Sequence, residues 1–267
     1  MTVVVDLVVA VGMLVVVPVG LRLIGGDAVL AWVGRWWLVG AAPAVVSLWL
    51  PRGAVAAGLA VPYAVMTLIL GWRAVVRIAR PGAGLVDLAV ATALGTPAVA
   101  AFSLVAERWG YHLFGFKLGV LALTVAHFHF AGFAAALIAG LVGRASGNRL
   151  VALTVPAGTA LVFVGYFTGE YVELAGAVVL TAGMWLVGWL TWRSVRTGDR
   201  ATRVLLLVSV SVLAVTMMLA LWWALGEATG VPHPTLAWMA ATHGLANALC
   251  FGLCGVLAWR RLRPAPL

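Results

Sequence analysis

Long apolar runs, broken only briefly by polar or helix-ending residues, occupy most of this chain. They cover roughly residues 3–24, 29–50, 54–78, 85–106, 114–142, 150–169, 172–191, 204–225 and 235–259. A helix needs about 20 mostly apolar residues to cross the hydrocarbon of a bilayer, and each run is close to that length or beyond it. The breaks carry Gly25-Gly26, Pro51, Pro81-Gly82, Gly147, Gly198, and Pro232 with Pro234, which end helices or turn the chain. Between the sixth and seventh runs only Glu170 and Tyr171 intervene clearly, which predicts a tight corner. No strand pattern is present, and no break is long enough for a soluble domain. The pattern predicts an all-α, polytopic transmembrane helix bundle of about nine spans, forming a single domain over residues 1–267.

Composition sharpens the solvent. Hydrophobic residues make up 64% of the chain and charged residues 9%; soluble domains are about half apolar and about a quarter charged. The expected location is therefore a cell membrane, as a multi-pass protein. The first run lacks a basic leading segment, so it reads as the first span and not as a cleavable signal. Cys250 and Cys254 lie inside an apolar run and read as small packing residues.

The net charge of +9 suggests a nucleic-acid partner only until its distribution is considered. With nine spans and the N-terminus outside, 13 of the 17 basic residues fall on the cytoplasmic side. They are Arg22, Arg73, Arg77, Arg80, Arg144, Arg149, Arg193, Arg196, Arg200, Arg203, Arg260, Arg261 and Arg263. This is the positive-inside bias; one span more or fewer would scramble it. The C-terminus is then cytoplasmic, the partner is the lipid bilayer, and no nucleic acid is implied. Glu107, Arg108, Glu170, Glu173 and Glu227 fall at the outer rim, where a charge can reach the headgroups.

Ionisable groups at membrane depth are costly and mark function by default. Three histidines sit there: His127 and His129 in the fifth span, and His243 in the ninth. Residues two apart on a helix differ by about 200° in direction, so His127 and His129 point to opposite sides. They serve two different sites, or one binds while the other braces a neighbouring helix. In the ninth span Asn247 lies one turn beyond His243, placed to fix its tautomer or to meet a substrate. The candidate catalytic set is His127, His129, His243, Asn247, Glu170 and Glu173. His127 and His243 are the candidate metal ligands. No cofactor is required by the sequence, while a single metal ion or a haem fits the histidines.

The segment Thr124-Val125-Ala126-His127-Phe128-His129-Phe130-Ala131-Gly132-Phe133 resembles the signature of the YndJ-like family of bacterial membrane proteins. The run around His243-Gly244 and Asn247 is similar to that family's closing helix. The resemblance implies a multi-span membrane protein, sometimes described as a transporter. Locally, Ala126-His127-Phe128-His129-Phe130 also resembles the helix of haem–copper oxidase subunit I that ligates two haems from opposite faces. That family places further histidines on other helices. Here the only other mid-span histidine is His243, so a full oxidase centre is excluded by ligand count.

Histidine titrates near neutral pH and is the usual proton-transfer group. The residues thus lead to an integral membrane enzyme acting on a lipophilic small molecule by isomerisation, cyclisation or hydrolysis, at a buried histidine and carboxylate acid–base or metal centre. The alternative is a small-molecule or proton-coupled transporter that uses the same histidines as a relay.

Overall fold

The computed structural model of the protein describes residues 2–267. Among these, nine helices are long and apolar enough to cross a membrane. In chain order, spans 1 to 9 are Val3–Ile24, Ala28–Ser47, Ala54–Ile78, Leu85–Trp109, Leu118–Ser146, Val151–Thr168, Glu170–Ser194, Arg200–Thr229 and Leu236–Leu262. The count is the one the apolar runs predict, and several boundaries move for identifiable reasons. Span 5 starts at Leu118 because Leu113–Gly115 forms a separate 3₁₀ turn, with Phe114 at a left-handed φ of 53°. Those aromatic residues are apolar enough to read as helix. Span 8 starts at Arg200 because Asp199 caps it, its carboxylate accepting from the Thr202 backbone N–H. Hydropathy sees only the lipid-facing length of such a helix, not its capped polar turn.

Spans 2, 3 and 4 pack in sequence, as do spans 6, 7 and 8. Span 5 runs through the middle, touching spans 1, 4, 6, 7 and 9. Every residue from Gly132 to Gly143 is buried, as expected of a helix that is apolar on all sides. Burial here is helix on helix, and lipid supplies little driving force, so close fit must hold the bundle. Span 5 fits by pressing rings onto glycines. Phe133 covers Gly20 of span 1, His129 covers Gly12 of span 1, and Phe130 covers Gly252 of span 9. A Cβ at Gly20 would come within 2.4 Å of the Phe133 ring. Spans 6 and 7 close in the same way, with Gly158 and Gly176 each set against the other helix's backbone.

Three spans that meet at the centre depart from α-helical winding there. π-turns occupy Gly12–Val16 in span 1, Phe128–Ala134 in span 5, and Ala240–Gly244 with Asn247–Leu253 in span 9. The turns of spans 1, 5 and 9 contact one another. A π-turn is rare and is often found at functional sites.

The helix ends are tied by charge. At one end Asp27 caps span 2 through the Val29 N–H and pairs with Arg73 of span 3. Burial pushes its carboxyl up, but the Val29 N–H and Arg73 outweigh that and hold it below the usual carboxylate range. At the same end Arg144 donates to the Pro266 carbonyl at 2.6 Å, tying down the C-terminal tail. At the opposite end the sequence expectation needs correction. Glu107 and Arg108 are not rim charges in the headgroups: they are 2% and 7% exposed. Arg52 reaches Glu107 Oε1 at 2.8 Å, and Arg108 donates to the Ser47 and Leu48 carbonyls at 3.2 Å each. These carbonyls lie at the end of span 2, where the Leu50 N–H also reaches the Ser47 carbonyl at 3.2 Å, so Arg108 helps close that helix while Glu107 balances its charge.

Candidate functional site

The three mid-span histidines go to different places. His129 points from span 5 toward spans 1 and 3 and is wholly buried. Its Nδ1 lies 2.6 Å from the Val125 carbonyl, and its Nε2 lies 2.5 Å from the Tyr63 hydroxyl. A carbonyl only accepts, so Nδ1 carries the proton and Nε2 accepts from Tyr63. Tyr63, equally buried, stacks near the imidazole at a centroid separation of 5.9 Å and meets the edge of Trp37 at 5.4 Å. The Trp37 indole N–H donates to the Met13 carbonyl at 2.6 Å, within the π-turn of span 1. Every polar atom of this chain of rings has a partner, which suits a buried polar network.

His127 goes the other way. It is half-buried, and it lies close enough to His243 for charge on one ring to act on the other. Among the described residues it takes part in no hydrogen bond. His243, also half-buried, has Nδ1 2.7 Å from the Thr216 carbonyl of span 8, so that nitrogen carries the proton. The Asn247 amide is oriented from both sides. Its Oδ1 accepts from the Thr216 hydroxyl at 2.9 Å, and its Nδ2 lies 3.3 Å from each His243 ring nitrogen. With Nδ1 already protonated, the amide donates to Nε2, at a long distance. The site therefore holds one imidazole in a set tautomer beside a second with no internal partner.

Aromatic rings lead from this pair toward the lipid. His127 meets the edge of Phe128 at 5.7 Å, Phe128 meets Phe163 of span 6 at 6.0 Å, and Phe163 meets Phe167 at 5.5 Å. Phe163 and Phe167 are exposed on the lipid-facing side of span 6.

The structure does not bring the two candidate carboxylates to the histidines. Glu170 and Glu173 open span 7, where Glu173 lies within charge range of Glu227 and Glu170. Glu227 in turn faces His233 at 3.2 Å. Among the described residues no hydrogen bond or ion pair links this group to His127 or His243. Nor do three or more His, Cys, Asp or Glu side chains converge as a metal site among them. A haem ligated from opposite faces of span 5 does not fit: His129 would need an open Nε2, and that atom is occupied by Tyr63 inside packed protein. His127 and His243 remain as a pair of imidazoles near each other, a two-ligand set at most.

Sequence reasoning missed three participants. They are Tyr63, Trp37 and Thr216, the last being one of many mid-span hydroxyls. A tyrosine eight residues or more from either end of its span is too deep for the interfacial belt, and that depth was the available signal.

A family model described as YndJ-like protein matches residues 7–251, nearly the whole chain, and the chain belongs to that family. No curated protein and no solved structure matches it.

Proposed function

We propose that this member of the YndJ-like family is an integral membrane enzyme that moves protons on a lipophilic small molecule, with His127 and His243 as its acid–base pair. The observation that carries the reading is the contrast in hydrogen bonding. His243 has its Nδ1 proton committed to the Thr216 carbonyl and its Nε2 lightly held by Asn247. His127, within charge range of it, takes part in no hydrogen bond among the described residues. A substrate hydroxyl, carbonyl or alkene placed between them would meet one ring able to give a proton and one able to take it. Asn247 steadies His243 through Thr216, and His129 braces span 5 without touching the reaction. The aromatic path past Phe128 and Phe163 supports a substrate that arrives from the bilayer. Isomerisation, cyclisation and hydrolysis all suit such a pair. With the arginine-rich ends of the spans in the cytoplasm, the pair lies in the outer half of a bacterial plasma membrane, with the N-terminus outside.

A proton-coupled carrier is the second reading, and the group of Glu170, Glu173 and Glu227 at the histidines' end of the bundle is what favours it. One experiment separates the two. Wild-type protein and the His127→Ala and His243→Ala variants are reconstituted with lipid extract from the host membrane, without an ion gradient. Extracts are then compared by mass spectrometry. A new product formed by wild type alone supports the enzyme. No conversion, together with gradient-dependent uptake of an unchanged solute, overturns it in favour of the carrier.

A further inference from the structure

At the arginine-rich end of the bundle, spans 7 and 8 part to leave a cleft of about 490 Å³ that none of the chemistry above uses. Its walls are apolar. Val195 lines one side, Leu206, Leu207 and Val210 the other, and Trp192 stands at the edge, exposed. The groove runs from Arg203 to Val210 along span 8, a rise of about 10 Å into the hydrocarbon. Water gains nothing in an apolar slot at that depth, and the open side faces lipid.

Its mouth is cationic. Arg196 and Arg203 both line it, and each is steadied by a backbone carbonyl: Arg196 by Trp192 at 3.1 Å, Arg203 by Thr197 at 3.2 Å. Among the described residues neither has a carboxylate partner. The one acid at this corner, Asp199, is occupied by the Thr202 hydroxyl and by Arg261 at 2.8 Å. The corner thus presents seven arginines (Arg193, Arg196, Arg200, Arg203, Arg260, Arg261, Arg263) against that single aspartate. Two guanidiniums with free donors above an apolar slot match a phosphate joined to a hydrocarbon chain, and a zwitterionic headgroup would bring its own cation into this field.

We propose that the cleft between spans 7 and 8 is a binding site for an anionic glycerophospholipid, with its phosphate between Arg196 and Arg203 and one acyl chain over Leu206 and Val210. The site is independent of the histidine pair and of whether that pair performs catalysis.

Native mass spectrometry of the delipidated full chain tests it by titration with phosphatidylglycerol and with phosphatidylcholine of the same chains. Three variants are compared with wild type: Arg196→Gln/Arg203→Gln, Arg193→Gln/Arg200→Gln, and Val210→Trp. The cleft pair is expected to lose affinity for phosphatidylglycerol by about thirtyfold, while the control pair, with the same charge loss, stays within about threefold of wild type. Val210→Trp keeps both arginines and fills the slot, and is expected to weaken the same lipid. Equal losses in the two arginine pairs would mean diffuse attraction and overturn the site. So would equal binding of phosphatidylcholine to wild type. Displacement of the bound lipid by millimolar inorganic phosphate would show that the chain is not recognised, and would overturn the lipid assignment as well.

Discussion

His129 and His127 are two residues apart on one helix and live in different chemistry. His129 is closed in by Gly12, Tyr63 and its own Val125 carbonyl, and both ring nitrogens are satisfied. His127 is half-buried, near a second imidazole, with no hydrogen-bond partner among the described residues. What separates them is the neighbour each side of span 5 meets. Spans 1 and 3 offer a glycine to admit the ring and a hydroxyl to saturate it. Span 9 offers another histidine, already held by span 8. A buried histidine costs little when both nitrogens are paired and is then a structural part. A histidine left unpaired beside another keeps its proton chemistry available. The comparison teaches that depth in the membrane marks a residue as important without saying for what; the hydrogen-bond partners say that.

The largest effects should come from breaking the closed side. His129→Ala removes a packed ring, strands the Tyr63 hydroxyl and takes the side-chain donor from the Val125 carbonyl, and is expected to cost about 3 kcal/mol or more. A thermal midpoint in detergent within a degree or two of wild type would contradict the closed network. Gly12→Val attacks the same contact from span 1, where a Cβ would sit 2.9 Å from the His129 Cβ. Neither side is the far end of a flexible chain, so the helices must separate, and a loss of about 1–3 kcal/mol is expected. Tyr63→Phe is milder. It keeps the ring stack and deprives His129 Nε2 of its donor, for about 1–2 kcal/mol. If Tyr63→Phe were as stable as wild type while Tyr63→Ala was not, the ring and not the hydroxyl would be what His129 needs.

The open side responds in function before stability. Thr216→Val removes the hydroxyl that orients Asn247 and leaves the Thr216 carbonyl bonded to His243. Hydrogen bonds between membrane helices are worth about 0.6 kcal/mol on average, so the thermal midpoint should fall slightly. The Nδ1–H bond to the carbonyl keeps the tautomer, while Nε2 should lose its steady amide donor, seen as a shifted or broadened Nε2 resonance from ¹⁵N-labelled histidine. A single sharp set unchanged from wild type would show that Asn247 does not hold His243.

Much of the fold was legible because a bilayer imposes a length and a polarity that sequence records directly. Nine apolar runs became nine helices among the described residues. Boundaries were legible only where the polar break coincided with the helix end. At Phe114–Phe116 apolar residues lie outside the helix, and at Arg200–Arg203 charged residues lie inside it. The opposed directions of His127 and His129 followed from helix periodicity, even though a π-turn begins at Phe128 and includes His129. What each histidine meets did not follow, because Tyr63, Trp37 and Thr216 come from distant parts of the chain and belong to residue types that abound in membrane helices. Glu107 and Arg108 were misplaced for a related reason: a helix-end charge looks interfacial until another helix, here the end of span 2, folds over it.

The smallest expected effect is also the most discriminating. His127→Ala removes no hydrogen bond among the described residues, and it thins a side that is only partly buried. Some apolar contact with Phe128 is lost. Against that, a polar ring no longer has to sit beside another imidazole at membrane depth. The two terms oppose, and the net change should stay within about 0.5–1 kcal/mol, well short of the loss at His129. The pair His129→Ala and His127→Ala, measured in one detergent by one unfolding method, therefore reads the difference between the two sides directly. If His127→Ala unfolded as readily as His129→Ala, His127 would be a structural residue too. The acid–base pair would then lose the member on which it depends.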